Sequence, residues 1–184
     1  MIISLSGTPG TGKSTVGRRL AGELGYSVIE LSNFIKSGSE FESRVSLGRI
    51  NGLANSKMKE NSIIISHLAH LLTSNKIDLF IVLRCNPAEL IKRLKKRGYS
   101  DFKVYDNAMF EALDGTYIEA AELHKNVVQI ENTKNLRSTV KRIVSLVENG
   151  KKPKKFNKDY SKYLLKIERQ FRSGLKYTDC GTIK

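Results

Sequence analysis

A chain of 184 residues, 40% of them hydrophobic, can fill one ordinary domain with a full core, which excludes a disordered chain. No apolar run approaches the ~18–20 residues of a membrane span, and the opening MIISLSG lacks the basic flank and long apolar stretch of a secretory leader. The net charge of +14 is uneven: residues 151–184 hold eleven Lys/Arg against three Asp/Glu, more than half of the excess in under a fifth of the chain. A basic tail of this kind favours nucleic acid or an acidic partner, although a solvated surface helix has the same composition.

Five β-rich runs alternate with helical stretches. MIISLS opens the chain as a first strand, and Ser14–Leu24 follows as a helix. YSVIEL is the second strand, followed by a broken polar stretch, Ser32–Glu60. SIIIS and LFIVLR read as strands three and four. After them come a helix over Pro87–Arg97, with Asn86 as its cap, and a second over roughly Asp106–His124. NVVQIE is the fifth strand and Leu136–Asn149 the last core helix, stopped by Gly150 and Pro153. Strands of continuous Ile, Val and Leu between helices predict an α/β fold with a five-stranded parallel sheet flanked by helices. The core then spans residues 1–150, and 151–184 form a basic C-terminal tail. Within the tail, Tyr160, Tyr163, Leu164, Ile167 and Phe171 fall at helical spacing and make a stripe suited to docking on the core or a partner.

The two cysteines, Cys85 and Cys180, form no CxxC pair. They read as buried or idle thiols in a reducing cytosol, with a single disulfide as the alternative, and they do not fit a zinc site.

The strongest signal is GTPGTGKST, Gly7 to Thr15, which fits G-x-x-x-x-G-K-[ST] between a strand and a helix. Glycines let backbone amides turn inward around a phosphate, and the helix that follows adds its positive end. Lys13 is placed for the β- and γ-phosphates of ATP, and the Ser14 hydroxyl for Mg²⁺. The chain therefore reads as a phosphate-loop NTPase. A guanine-reading NKxD after a late strand is missing, the nearest match being ENTKN, so a GTPase fits poorly. A small nucleotide kinase fits better. It needs an acceptor-binding insert after the second strand and a lid with arginines after the fourth. In LIKRLKKRGY, Arg93 and Arg97 share a helix face and can clamp phosphate oxygens, Arg97 the better of the two; Lys92, Lys95 and Lys96 make a solvated basic face the alternative.

Taken together, GTPGTGKST, SHLAHLL, VLRCNP, RLKKRGY and DNAMFEALD resemble the adenylate kinase isoenzyme 6 family, and its archaeal branch most of all. The likeness covers about residues 1–150. It implies an adenylate kinase-like fold with a short lid, and a cytoplasmic kinase and ATPase that also serves in small-ribosomal-subunit maturation. Carried over by position, Gly10, Gly12, Lys13, Ser14, Thr15 and Arg97 hold ATP, with Ser14 on the metal. Lys13, His67 and Arg97 take catalytic roles. The acceptor region spans about Glu30 to Leu53 and the lid about Lys96 to Asp106. AMP or another nucleoside monophosphate is the implied substrate; a small-subunit ribosomal protein and rRNA are the implied partners. Thr133 and Lys134 would border the adenine, and Arg84 points to the same crevice or forms a structural ion pair.

Two places depart from the family. The acceptor region offers Lys36, Arg44, Arg49, Lys57 and Lys59 without singling out any, and has Asn33 and Arg49 where acids are usual. The third strand should end acid-x-His, yet NSIIISHLAHLL puts Ile65 at the acid and His67 at the histidine. His67 either orients a water for ATP hydrolysis or packs under the loop; His70, one turn on, reads as structural. A zinc site from these two histidines lacks further ligands. The missing acid keeps open an ATP-regulated assembly factor or a nucleotide-binding scaffold with little turnover.

Overall fold

The alternation of apolar runs and amphipathic stretches folds as a doubly wound sheet. The computed structural model describes residues 1–34, 47–150 and 156–172. In chain order the elements are β1 (Ile2–Ser6), α1 (Lys13–Leu24), β2 (Ser27–Glu30), α2 (Leu47–Lys57), β3 (Ser62–Ile65), β4 (Leu79–Arg84), α3 (Pro87–Lys96), α4 (Asp101–Ala112), α5 (Gly115–Leu123), β5 (Val127–Glu131), α6 (Leu136–Asn149) and α7 (Leu164–Phe171). All strand pairs are parallel, in the order β2-β3-β1-β4-β5. The expected five-stranded parallel sheet is met.

The sheet buries side chains on both faces. Ile3, Leu5, Ile63, Ile65, Ile81 and Leu83 pack on one face with Val16, Leu20, Val140 and Ile143 of α1 and α6. Ile2, Ile64 and Phe80 pack on the other with Ile50 and Ala54 of α2. Cys85 is a buried free thiol whose burial pushes its pKa up to about 12; Cys180 lies outside the described residues.

Two expectations change in detail. The helix expected over roughly 106–124 is two helices. Asp114 takes a left-handed conformation (φ 60°) and breaks it, standing at the N-cap of α5. The lid expected over about 96–106 is mostly helical too. Only residues 97–100 lie between α3 and α4, because Ser100 caps α4 by accepting from the Lys103 amide. Asn86 caps α3 as its sequence predicts, with its side chain accepting from Ala88 N.

Residues 156–172 lie against the core. Ile167 and Phe171 of α7 are buried with Leu90, Leu94, Val104 and Ala108 of α3 and α4. Lys158 pairs with Glu131 at the end of β5, Tyr160 donates to the same carboxylate (3.1 Å), and Asn86 donates to the Tyr163 hydroxyl (2.7 Å). Among the described residues, no helix is long and apolar enough to cross a membrane.

Candidate functional site

Crevices in such sheets open at the carboxyl ends of the strands, and the sequence motifs converge there. One cavity of about 430 Å³ is lined by Pro9, Gly10, Gly12, Lys13, Ser14 and Thr15 of the loop after β1. Ser66 and His67 after β3, Ile50 of α2, and Arg97 and Tyr99 between α3 and α4 complete its main walls. Every candidate site residue from the sequence, namely Gly10, Gly12, Lys13, Ser14, Thr15, His67 and Arg97, lines this one space.

The loop's shape explains its glycines. Gly7 (φ 142°) passes so close to β4 that a Cβ would lie 2.5 Å from the Leu83 carbonyl oxygen. Gly12 (φ 95°) faces the Asn132 amide, which a Cβ would meet at 2.5 Å. Asn132 donates to the Thr11 carbonyl (2.8 Å) and so pins the loop to the end of β5. Lys13 folds onto the loop: its Nζ donates to the carbonyls of Gly7 (2.6 Å) and Thr8 (3.1 Å). Burial brings its pKa down to about 7, against the pull of Glu111 and aided by the nearby Arg97 charge. A lysine whose charge is so poorly compensated is poised for an anion.

The two lid arginines divide. Arg93 is committed to main-chain carbonyls. Its Nη1 donates to Asn132 O (3.1 Å) and its Nη2 to Thr133 O (2.5 Å), while Nε pairs with Glu89. It braces the loop after β5. Arg97, at the end of α3, is exposed at the cavity rim and close enough to Lys13 to depress its pKa.

The histidines divide as well. His70 is buried, its Nδ1 sharing a hydrogen bond with Ser6 Oγ (2.8 Å) and its Nε2 with Glu119 Oε2 (2.7 Å). Burial lowers its pKa despite Glu119, so it is a neutral strut beneath β1. His67 is exposed at the cavity and accepts from Ser6 Oγ through its backbone carbonyl (3.3 Å). Thr133 Oγ1 accepts from Asn86 N (3.0 Å) and donates to Glu131 (2.8 Å), a bracing role. Lys134 is exposed. Of the basic acceptor candidates, Lys36 and Arg44 lie outside the described residues.

Arg84 is not a ligand but half of a buried ion pair. Its Nε donates to Glu111 (2.9 Å) and its Nη2 to Asp114 (2.5 Å), and its guanidinium lies 5.1 and 5.3 Å from the Phe156 and Tyr160 rings. Burial opposes its charge, but Glu111 and Asp114 outweigh it and raise the pKa. Glu111 also accepts from Thr8 Oγ1 (2.5 Å) and the Cys85 amide (2.9 Å). The motif DNAMFEALD contains this residue but does not disclose its role, since an acid on an amphipathic helix reads as a surface residue.

The site has the donors for a cation brought in by a nucleotide. Ser14 stands at the first turn of α1, and the Glu30 side chain lines the same cavity. Among the described residues, no three His, Cys, Asp or Glu cluster to hold a metal unaided.

A phosphate loop on a parallel sheet, facing a lid arginine across one cleft, defines a phosphate-loop protein of the kinase fold. A family model described as "AAA domain" matches residues 3–114. The chain is 34% identical over 183 residues to a "Putative adenylate kinase" of Pyrococcus furiosus, covering 95% of this chain and 99% of that protein. It is 37% identical over 160 residues to the one of Thermococcus gammatolerans, covering 83% and 88%. The chain belongs to this adenylate kinase-like family. Among solved structures, shikimate kinase from Acinetobacter baumannii in complex with shikimate (TM-score 0.60, 18% identity, 82% of this chain and 94% of that one) shares the fold. So does shikimate kinase from Bacteroides thetaiotaomicron (TM-score 0.57, 22% identity, 80% and 98%).

Removing one member of a buried pair strands the other charge. Glu111→Ala should therefore destabilise the protein by about 3–5 kcal/mol in urea unfolding, and amide exchange at Thr8 and Cys85 should quicken. A variant as stable as the parent would show that Arg84 finds its compensation elsewhere.

Proposed function

We propose that this chain is a nucleoside monophosphate kinase, passing the γ-phosphoryl group of Mg²⁺-bound ATP to AMP or a similar acceptor and hydrolysing ATP slowly when no acceptor is present. The observation that carries the reading is convergence: the phosphate loop, α2 of the insert after β2, and the α3–α4 turn all line one cleft. That arrangement gives donor and acceptor phosphates a common space. The names of the archaeal relatives support the same substrate class.

In this reading the loop amides, Lys13, Ser14 and Thr15 hold the ATP phosphates. Ser14 would hold Mg²⁺ together with the nucleotide, and the ion would supply charge neutralisation at the phosphates. Lys13 and Arg97 offset the charge that spreads over the phosphoryl oxygens as it moves, so the protein's contribution is positioning and electrostatics, with little acid–base chemistry. His67, exposed at the cleft, orients the water of the side hydrolysis.

A second reading, small-ribosomal-subunit maturation with a ribosomal protein and rRNA as partners, rests on the tail's charge. Lys162, Lys166, Arg169 and Arg172 are exposed on and beside α7, opposite its buried Ile167 and Phe171. Both roles are compatible in a cytoplasmic enzyme.

Coupled detection of ADP formation, with and without AMP, tests the first reading. AMP should raise the rate, and Arg97→Ala should cut the AMP-dependent rate by about 10²–10³-fold. No effect of AMP would exclude the kinase reading.

For the tail, charge reversal is a better probe than truncation, because removing α7 would strip the cover from α3 and α4. Replacing Lys162, Lys166 and Arg169 by Glu should flatten the log–log salt dependence of RNA binding, by roughly 0.7 for each phosphate that is no longer neutralised. An unchanged slope would retire the RNA role of this face.

A further inference from the structure

The end of β3 is where this chain departs from the phosphate-loop pattern, and the structure shows what fills the position. Ile65 is 2% exposed and packs into the core facing α1. A Cβ on Gly17 would lie 2.3 Å from Ile65 Cδ1, so the isoleucine occupies the gap that a glycine in α1 leaves beside the loop. Among the described residues, the β3 strand end itself carries no carboxylate.

One strand over stands a carboxylate. Glu30 is the register partner of Ile65 in the parallel β2–β3 pair. Residues paired this way project to the same face, so the Glu30 side chain emerges beside Ile65 toward α1. Its carboxylate reaches the first turn of that helix. There the Ser14 hydroxyl and the Arg18 guanidinium, which donates through Nη2 (2.7 Å), hold its pKa below the usual range. The side chain is only 10% exposed and lines the same cavity as Lys13, Ser14 and Thr15. Neighbouring strands lie about 4.8 Å apart, and glutamate's extra methylene recovers part of that offset relative to an aspartate on β3.

An ion pair with Arg18 alone does not account for this placement. The Arg18 side chain is 67% exposed, and exposed pairs contribute little. The place of Glu30 in the cavity wall is the informative feature, because it shares that wall with Ser14, the hydroxyl that holds the metal in the reading above.

We infer that Glu30 replaces the missing acid of β3: it is the carboxylate that accepts a hydrogen bond from a water on the nucleotide's Mg²⁺, beside Ser14. The inference rests on the Mg²⁺-nucleotide reading above and assigns the metal's supporting acid to a different strand. Glu30 is a positioning residue in this scheme and does not touch the reacting atoms. It also explains how the loop can tolerate an apolar residue at Ile65 without giving up metal-dependent binding.

The test uses the full-length protein with the non-hydrolysable analogue AMPPNP and Mn²⁺ as the spectroscopic stand-in for Mg²⁺. Electron paramagnetic resonance reads the Mn²⁺ retained in the ternary complex, and calorimetry in EDTA reads metal-free analogue binding. Glu30→Gln should weaken Mn²⁺ retention about 10–100-fold and leave metal-free binding unchanged. Glu30→Asp, which keeps the charge but withdraws it by a methylene, should lose part of that affinity. Arg18→Ala should retain Mn²⁺ as the parent does. The inference is overturned if Glu30→Gln retains Mn²⁺ like the parent, or if Arg18→Ala reproduces its loss, which would make the carboxylate a salt-bridge partner only. Failure of the parent protein to bind AMPPNP at all would overturn the nucleotide reading and this inference with it.

Discussion

A single buried carboxylate ties the phosphate loop to the rest of the molecule. Glu111, 1% exposed on α4, accepts from the Thr8 hydroxyl, the Cys85 amide and the Arg84 guanidinium. Three segments distant in sequence thus meet on one charge: the loop after β1, the end of β4 and the α4–α5 corner. Burial pushes the Glu111 carboxyl up, against the pull of Arg84, Thr8 and the Cys85 amide. Such a network is costly unless every group is satisfied. Among the described residues no buried side-chain nitrogen or oxygen lacks a partner. The loop's position is therefore set by the core as much as by its own glycines.

Around this anchor the charges fall into two kinds. Arg84 and Arg93 are spent on structure, the first inside the core and the second on the carbonyls of the β5–α6 loop. Lys13 and Arg97 face the cleft together, and their mutual repulsion contributes to the low pKa of Lys13. A phosphate entering between them relieves that repulsion. Pre-placed positive charge of this sort makes anion binding favourable without rearranging the scaffold. On the far side, α7 and the segment before it close over Arg84 and the α3–α4 pair, so part of the basic tail belongs to the core's packing.

Much of this was legible in the sequence, and the reason is locality. Continuous runs such as SIIIS and LFIVLR become central strands because apolar residues on both faces suit only a doubly covered sheet. GTPGTGKST prescribes its own backbone shape, so Gly10, Gly12, Lys13, Ser14 and Thr15 could be placed around one cavity from their spacing. What could not be read depends on distant partners. Arg93 and Arg97 share a helix face, and only the loop near Asn132 and Thr133 separates brace from cleft residue. The role of Glu111 needs β4 and the phosphate loop brought together. Glu30 gains its meaning from strand register, since only the β2–β3 pairing sets it beside Ile65. The break at Asp114 was signalled by the dipeptide Asp-Gly, but the helical periodicity on either side concealed it.

The proposed function depends on one cleft holding a phosphate donor and a nucleoside monophosphate acceptor together. Diadenosine pentaphosphate joins both nucleotides through one phosphate chain, so its calorimetric titration into the full-length protein probes that cleft as a whole. One molecule should bind per chain, much more tightly than ATP, with AMP competing for part of the site. Binding no tighter than that of ATP and indifferent to AMP would contradict a shared donor–acceptor cleft.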